Sequence, residues 1–152
     1  MKERGYKTIW CPFDKEHSQY VRVLRKAGFY VLFSHVSDGK DFFNYTPKHY
    51  DAIVSNPPFS KKDDILKRCY DLGKPFALLL PQNSLQSQFR TKLFITYDLE
   101  YLGFDKRVCF YTWGNLKGIE FSNHFASGYF CRHILPRPLI FEEIQQIQEA
   151  YQ

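Results

Sequence analysis

The chain has little that could fix a structure covalently or through metal. Its four cysteines, Cys11, Cys69, Cys109 and Cys131, are widely separated and form no Cys-x-x-Cys pair, which excludes a zinc ribbon or a dithiol redox centre. They read as buried free thiols of a reducing compartment. The histidines, His17, His35, His49, His124 and His133, lack metal-ligand spacing, so no metal is expected. No apolar run approaches the roughly 20 residues that cross a bilayer. The charged start, Met1-Lys2-Glu3-Arg4-Gly5, leads into no apolar stretch of signal-peptide length. The expectation is a soluble cytoplasmic protein. Repeats, linkers and low-complexity tracts are also lacking, so one domain over residues 1–152 is expected.

What is present is enough to fold. Hydrophobic residues make up 44% of the 152 and aromatic residues 18%, with 15 Phe and 11 Tyr, far from the composition of a disordered chain. The net charge of +5 suits an anionic partner, although it is small for a dedicated nucleic-acid scaffold.

Along the chain, residues 8–13 read as a strand, and residues 14–27 as a helix with Val21, Leu24 and Ala27 on one face and Gly28 as its stop. Residues 29–33 read as a second strand and residues 50–54 as a third, the latter ended by Pro57-Pro58 because two prolines cannot continue a central strand. Ser60 and Asp63 fit a capping box for a helix over residues 61–72. A strand over residues 76–80 precedes a helix marked by Leu85, Phe89 and Leu93. This alternation predicts an α/β domain with a mostly parallel, twisted sheet and helices on both faces. Residues 101–105, 107–113 and 128–135 read as antiparallel strands added at the sheet edge. Beyond Pro136-Arg137-Pro138, residues 142–152 read as a short helix.

Ligands of open α/β sheets bind at the carboxyl ends of the strands, which directs attention to residues 11–17, 34–43, 55–60 and 81–84. The most specific of these loops holds Asn56-Pro57-Pro58-Phe59. Two prolines stiffen the turn and hold an amide, a backbone carbonyl and an aromatic ring side by side. Such a corner suits a planar base with an exocyclic amine.

This tetrapeptide resembles the signature of the S-adenosylmethionine-dependent DNA amino-methyltransferases that modify adenine. Asn rather than Ser at position 56, and Phe rather than Trp at position 59, look more like the adenine than the cytosine members. The resemblance implies a Rossmann-like methyltransferase fold. It also implies a flipped-out base stacked on Phe59, with amine protons accepted by the Asn56 amide and the Pro57 carbonyl so that the nitrogen lone pair is aimed at the cofactor methyl. Asp41-Phe42-Phe43 looks like the family's cofactor-adenine element, with Asp41 accepting from the amine and Phe42 packing on the ring. Phe125-Ala126-Ser127 resembles a common late segment. Trp10-Cys11-Pro12-Phe13-Asp14 together with the tetrapeptide looks like small methyltransferase-like proteins common in phages and prophages.

In this resemblance the cofactor set is Pro12, Asp14, His35, Asp41 and Phe42, where Asp14 either binds the cofactor amine or caps its helix. Lys61, Lys62, Arg90, Lys106 and Arg107 either contact phosphates or belong to solvated faces. DNA is the expected partner, with RNA and protein as other substrates the same corner would serve. Departures from the family are specific. The first loop has no glycine, His35 stands where an acid normally binds the cofactor ribose with Asp38 near it, and the helical segment preceding the first strand is missing. A homodimer would replace that enclosure. These departures favour a second expectation: a catalytically inactive, methyltransferase-like protein that binds nucleic acid or inhibits a host enzyme or defence system.

Overall fold

The computed structural model describes residues 1–110, 121–122 and 125–144. Seven strands form one sheet in the order β2-β1-β3-β4-β8-β5-β9, with β1 at Thr8–Cys11, β2 at Tyr30–Phe33, β3 at Ala52–Ser55 and β4 at Phe76–Pro81. The remaining three are β5 at Glu100–Phe104, β8 at Ser127–Arg132 and β9 at Leu139–Glu142. Strands β2, β1, β3 and β4 are mutually parallel, β8 is antiparallel to both β4 and β5, and β9 is parallel to β5. Two short strands, β6 at Cys109–Phe110 and β7 at Phe121–Ser122, pair separately as an antiparallel ribbon. The result is a Rossmann-like α/β fold with one reversed strand set into an otherwise parallel sheet.

Residues on successive positions of each strand point to opposite faces, and both faces are covered. On one face Trp10, Ile53, Phe76, Leu78, Leu80, Tyr101 and Phe130 pack with α2 (Lys62–Asp71) and α3 (Gln88–Tyr97) through Ile65, Leu66, Cys69, Tyr70 and Leu93. On the other, Ile9, Cys11, Val31, Ala52, Val54, Ala77 and Cys131 pack with α1 (Gln19–Lys26) through Val21 and Leu24. This two-sided burial is why β1, β3 and β4 read as unbroken apolar runs. Cys11, Cys69 and Cys131 are buried free thiols, and burial pushes each thiol well above its ordinary pKa.

Several local readings shift. Helix α1 begins at Gln19 rather than at residue 14, because the Ser18 hydroxyl accepts from the Lys15 amide and the Lys15 carbonyl from the Ser18 amide, closing a turn first. Its stop is as expected: Gly28 has φ 90°, and the Phe29 amide reaches back to the Leu24 carbonyl. Ser60 does not cap α2. It lies inside a 3-10 turn at Phe59–Lys61, and the helix has no side-chain cap bond. Helix α3 starts after Ser87, whose hydroxyl accepts from the Arg90 amide. Leu85 falls in the preceding turn, Gln82–Leu85, and of the expected stripe only Leu93 is buried.

The C-terminal third departs most. The reversed strand β8 sits inside the sheet between β4 and β5, not at its edge. There it approaches β5 closely enough that a Cβ on Gly128 would lie 2.3 Å from the Tyr101 hydroxyl and 2.8 Å from the Leu102 carbonyl. Only glycine fits. Leu139–Glu142 forms the edge strand β9, which overlaps the expected terminal helix only at Glu142. Residues 111–113 of one expected strand and 145–152 of the expected terminal helix lie outside the described residues.

Candidate active site at the switch point of the sheet

Strand β1 is flanked by β2 on one side and β3 on the other, so the loops leaving β1 and β3 stand at the topological switch point, where open α/β sheets bind their ligands. Those two loops carry Pro12 to Asp14 and Asn56 to Phe59. They are joined directly: the Ser55 hydroxyl, on the last residue of β3, donates to Asp14 Oδ2 at 3.0 Å. Asp14 therefore ties the first loop to the end of β3 and does not cap α1, whose N-cap is Ser18. Burial raises the Asp14 carboxyl above its ordinary pKa, while bonds from Ser55 and Ser18 and the nearby His35 pull it partly back.

This shift has a consequence for stability. A raised carboxyl stabilises the fold fully below the unfolded aspartate value of about 3.9, and that contribution is lost as pH climbs through the folded value. Asp14→Asn is therefore expected to melt with the parent in acid and at a higher temperature than the parent near neutrality. Thermal melts across this range check it, and a lower neutral melting temperature would show that the fold requires the charged carboxylate.

The double-proline corner leaves the sheet directly after β3. Pro57 is buried and Pro58 exposed, and the following 3-10 turn leads into α2. Asn56 Oδ1 is buried and accepts no hydrogen bond from the described residues. Phe59 stands edge-on to Phe125, with ring centroids 5.6 Å apart. Thus the corner and the late segment at residues 125–127, distant in sequence, meet at one edge of the sheet. Beside them Tyr20 and Tyr129 share a hydroxyl–hydroxyl bond of 2.7 Å, and both feel the Asp14 charge. Neither these tyrosines nor Ser55 carries a sequence pattern that marks them.

The other site residues are placed as follows. Asp41 Oδ1 accepts from the Phe43 amide and closes a tight turn. Phe42 is 2% exposed, packed on Trp10 and Phe13, with the Arg68 guanidinium 5.3 Å from its centroid. It is a core residue, and the partly buried Phe43 is the ring that the Asp41 turn leaves nearer the surface. Pro12 is buried. His35 lies at the end of β2 as expected, but its Nδ1 accepts from the Ser37 amide at 3.1 Å and caps the turn Val36–Asp38. Asp38 is exposed and accepts from the Ser37 hydroxyl at 3.2 Å.

Among the basic residues, Lys61, Lys106 and Arg107 are exposed. The Lys61 ammonium sits 5.6 Å from the Phe43 centroid, and Lys62 Nζ donates to the Phe59 carbonyl at 3.4 Å. Arg90 differs. It is 7% exposed, with its guanidinium donating to Asp63 and to the carbonyls of Ser84 and Gln86. Its donors are committed to the fold, so the expectation of a phosphate contact is corrected for this residue. Among the described residues no group of His, Cys, Asp and Glu side chains is placed to hold a metal ion, and no helix is long and apolar enough to cross a membrane.

No family model and no curated protein matches the sequence. Among solved structures, a Thermoplasma acidophilum protein provisionally described as a methyltransferase is 10% identical, with 91% of this chain and 71% of that one covered at a TM-score of 0.39. At that score the likeness carries no chemical information.

Proposed function

We propose that the chain transfers a methyl group from S-adenosylmethionine to the exocyclic amine of adenine in DNA. The observation that carries this reading is the buried, unpartnered Asn56 Oδ1 at the rigid corner after β3. An amide oxygen in that state offers a strong acceptor to an incoming N–H, and an orphan acceptor is otherwise costly to bury. An amine donating to Asn56 and to the Pro57 carbonyl gains electron density at nitrogen, and the Phe59 ring gives the base a face to stack on. The net charge of +5 and the exposed Lys61, Lys106 and Arg107 suit a phosphate backbone.

The donor set suits the cofactor at its ends. Asp14 offers a carboxylate to an ammonium group, and Asp41 with Phe43 offers an acceptor and a ring to an adenine, Phe43 replacing the buried Phe42 in that role. S-adenosylmethionine supplies an electrophilic methyl when bound. The protein's part is to hold the amine at Asn56 and to keep the base and the methyl donor in one crevice.

One observation favours a second reading, an inactive, methyltransferase-like binder of nucleic acid or inhibitor of a host enzyme. In the glycine-free first loop the Phe13 ring packs on Phe42 at 5.0 Å, occupying space beside the strand end, and the end of β2 carries His35 in place of an acid. Calorimetric titration with S-adenosylmethionine separates the two. Methyl transfer predicts a saturable heat, a raised melting temperature and label incorporated into adenine-containing DNA in preference to transfer RNA or protein. No heat and no incorporation by well-folded protein would remove the enzymatic reading. Incorporation only into RNA or protein would replace the substrate.

A further inference from the structure

Four buried side-chain polar atoms among the described residues have no hydrogen-bond partner: Asn56 Oδ1, Ser84 Oγ, Ser127 Oγ and Arg132 Nε. Arg132 lies at the far end of the sheet, opposite Phe76, and its guanidinium stacks against Tyr70 and Tyr97 at 5.7 and 5.8 Å. The other three lie at the carboxyl end of the central parallel strands. Ser55 pairs with Leu78, which puts Asn56 just past the end of β3, while Ser127 opens β8 opposite Pro81, the last residue of β4. The Gln82 amide extends that ladder by donating to the Ala126 carbonyl at 2.8 Å. Ser84 follows in the turn Gln82–Leu85, fully buried, with its backbone carbonyl held by Arg90. The Phe59–Phe125 contact ties the Asn56 corner to the Ser127 segment.

Each orphan buried hydroxyl costs about 1–3 kcal/mol, and native folds retain few of them. Two hydroxyls and one amide oxygen concentrated on three neighbouring strand ends are therefore unexplained by folding and suited to a polar ligand. Adjacent strands stand about 4.8 Å apart and rise about 3.3 Å per residue, and the register sets Ser127 two residues beyond the level of Asn56, so the two, on either side of β4, are separated by roughly 12 Å. A base with its attached sugar fills such a span, and a lone amide group does not. We propose that Ser84 and Ser127 are ligand-binding residues that hydrogen-bond the polar groups of a nucleoside whose amine is held by Asn56. A serine hydroxyl both donates and accepts, so it serves a ring nitrogen or a sugar hydroxyl equally. This inference rests on the reading of the Asn56 corner as an amine acceptor.

The test compares the parent with Ser84→Ala, Ser127→Ala and Asn56→Ala. Binding is read by fluorescence anisotropy with a single-stranded oligodeoxynucleotide carrying one adenine among thymines, and folding by melting temperature. Each serine variant is expected to bind about tenfold more weakly and to melt no lower than the parent, since it removes a group that the fold leaves unsatisfied. Unchanged affinity, or a lowered melting temperature with unchanged affinity, would overturn the assignment. If Asn56→Ala weakens binding and the serine variants do not, this inference alone fails. If the parent does not bind the oligonucleotide, both it and the amine-acceptor reading fall.

Discussion

Arg90→Ala is expected to lower the melting temperature by roughly 6–12 °C, a loss of about 3 kcal/mol. The side chain is 9% exposed and makes three charge-assisted bonds, to Asp63 in the first turn of α2 and to the carbonyls of Ser84 and Gln86 before α3. Removing it leaves two carbonyls without donors and a void between the helices. Asp63→Asn should cost less, about 1 kcal/mol, because the Asp63 side chain is 46% exposed and the pair is partly screened from that side. The same bonds fix the turn that carries Ser84 and the helix that follows the double-proline corner, so the fold and the proposed site share this clamp. Denaturant or thermal unfolding of both variants measures it. Full stability of Arg90→Ala with weakened DNA binding would instead restore a phosphate role for this residue.

Asn56→Ala is expected to have the opposite profile. Its Oδ1 accepts nothing from the described residues, so truncation should leave the melting temperature unchanged or raise it. Methyl transfer should fall by about 100- to 1,000-fold, the scale on which loss of one preorganised hydrogen-bonding group at a reacting centre is felt. An ordinary turn asparagine would behave the other way round, with lost stability and no special effect on rate.

The central sheet and its double-proline corner were legible for one physical reason. Parallel strands buried on both faces must be apolar throughout, so β1, β3 and β4 stand out as runs, and the polar residues that end them mark the carboxyl end of the sheet. Asn56-Pro57-Pro58-Phe59 was visible because two prolines after such a run force the chain out of the sheet. Features that depend on a partner elsewhere in the chain were not legible. Nothing in the sequence shows that Asp63 meets Arg90, that Phe42 turns into the core between Trp10 and Phe13, or that Phe125 meets Phe59. Local patterns also misled where short turns intervened. The spacing of Ser60 and Asp63 fits a cap, but a 3-10 turn takes up Ser60 and the salt bridge takes Asp63. Leu85 has the spacing of Phe89 and Leu93, but the Ser87 cap resets the helical phase after it. After the prolines at 136 and 138 the chain returns as β9, paired with β5, a partner some way back in the chain to which no local pattern points.

The most direct measurement is methyl incorporation into adenine-containing DNA by the parent and Asn56→Ala, run beside their thermal melts. A parent that transfers methyl groups, with a variant that melts at least as high and has lost two to three orders of magnitude in rate, is the outcome expected if Asn56 reserves its oxygen for a substrate amine. A variant as fast as the parent, or a parent that transfers nothing while folded, would contradict it.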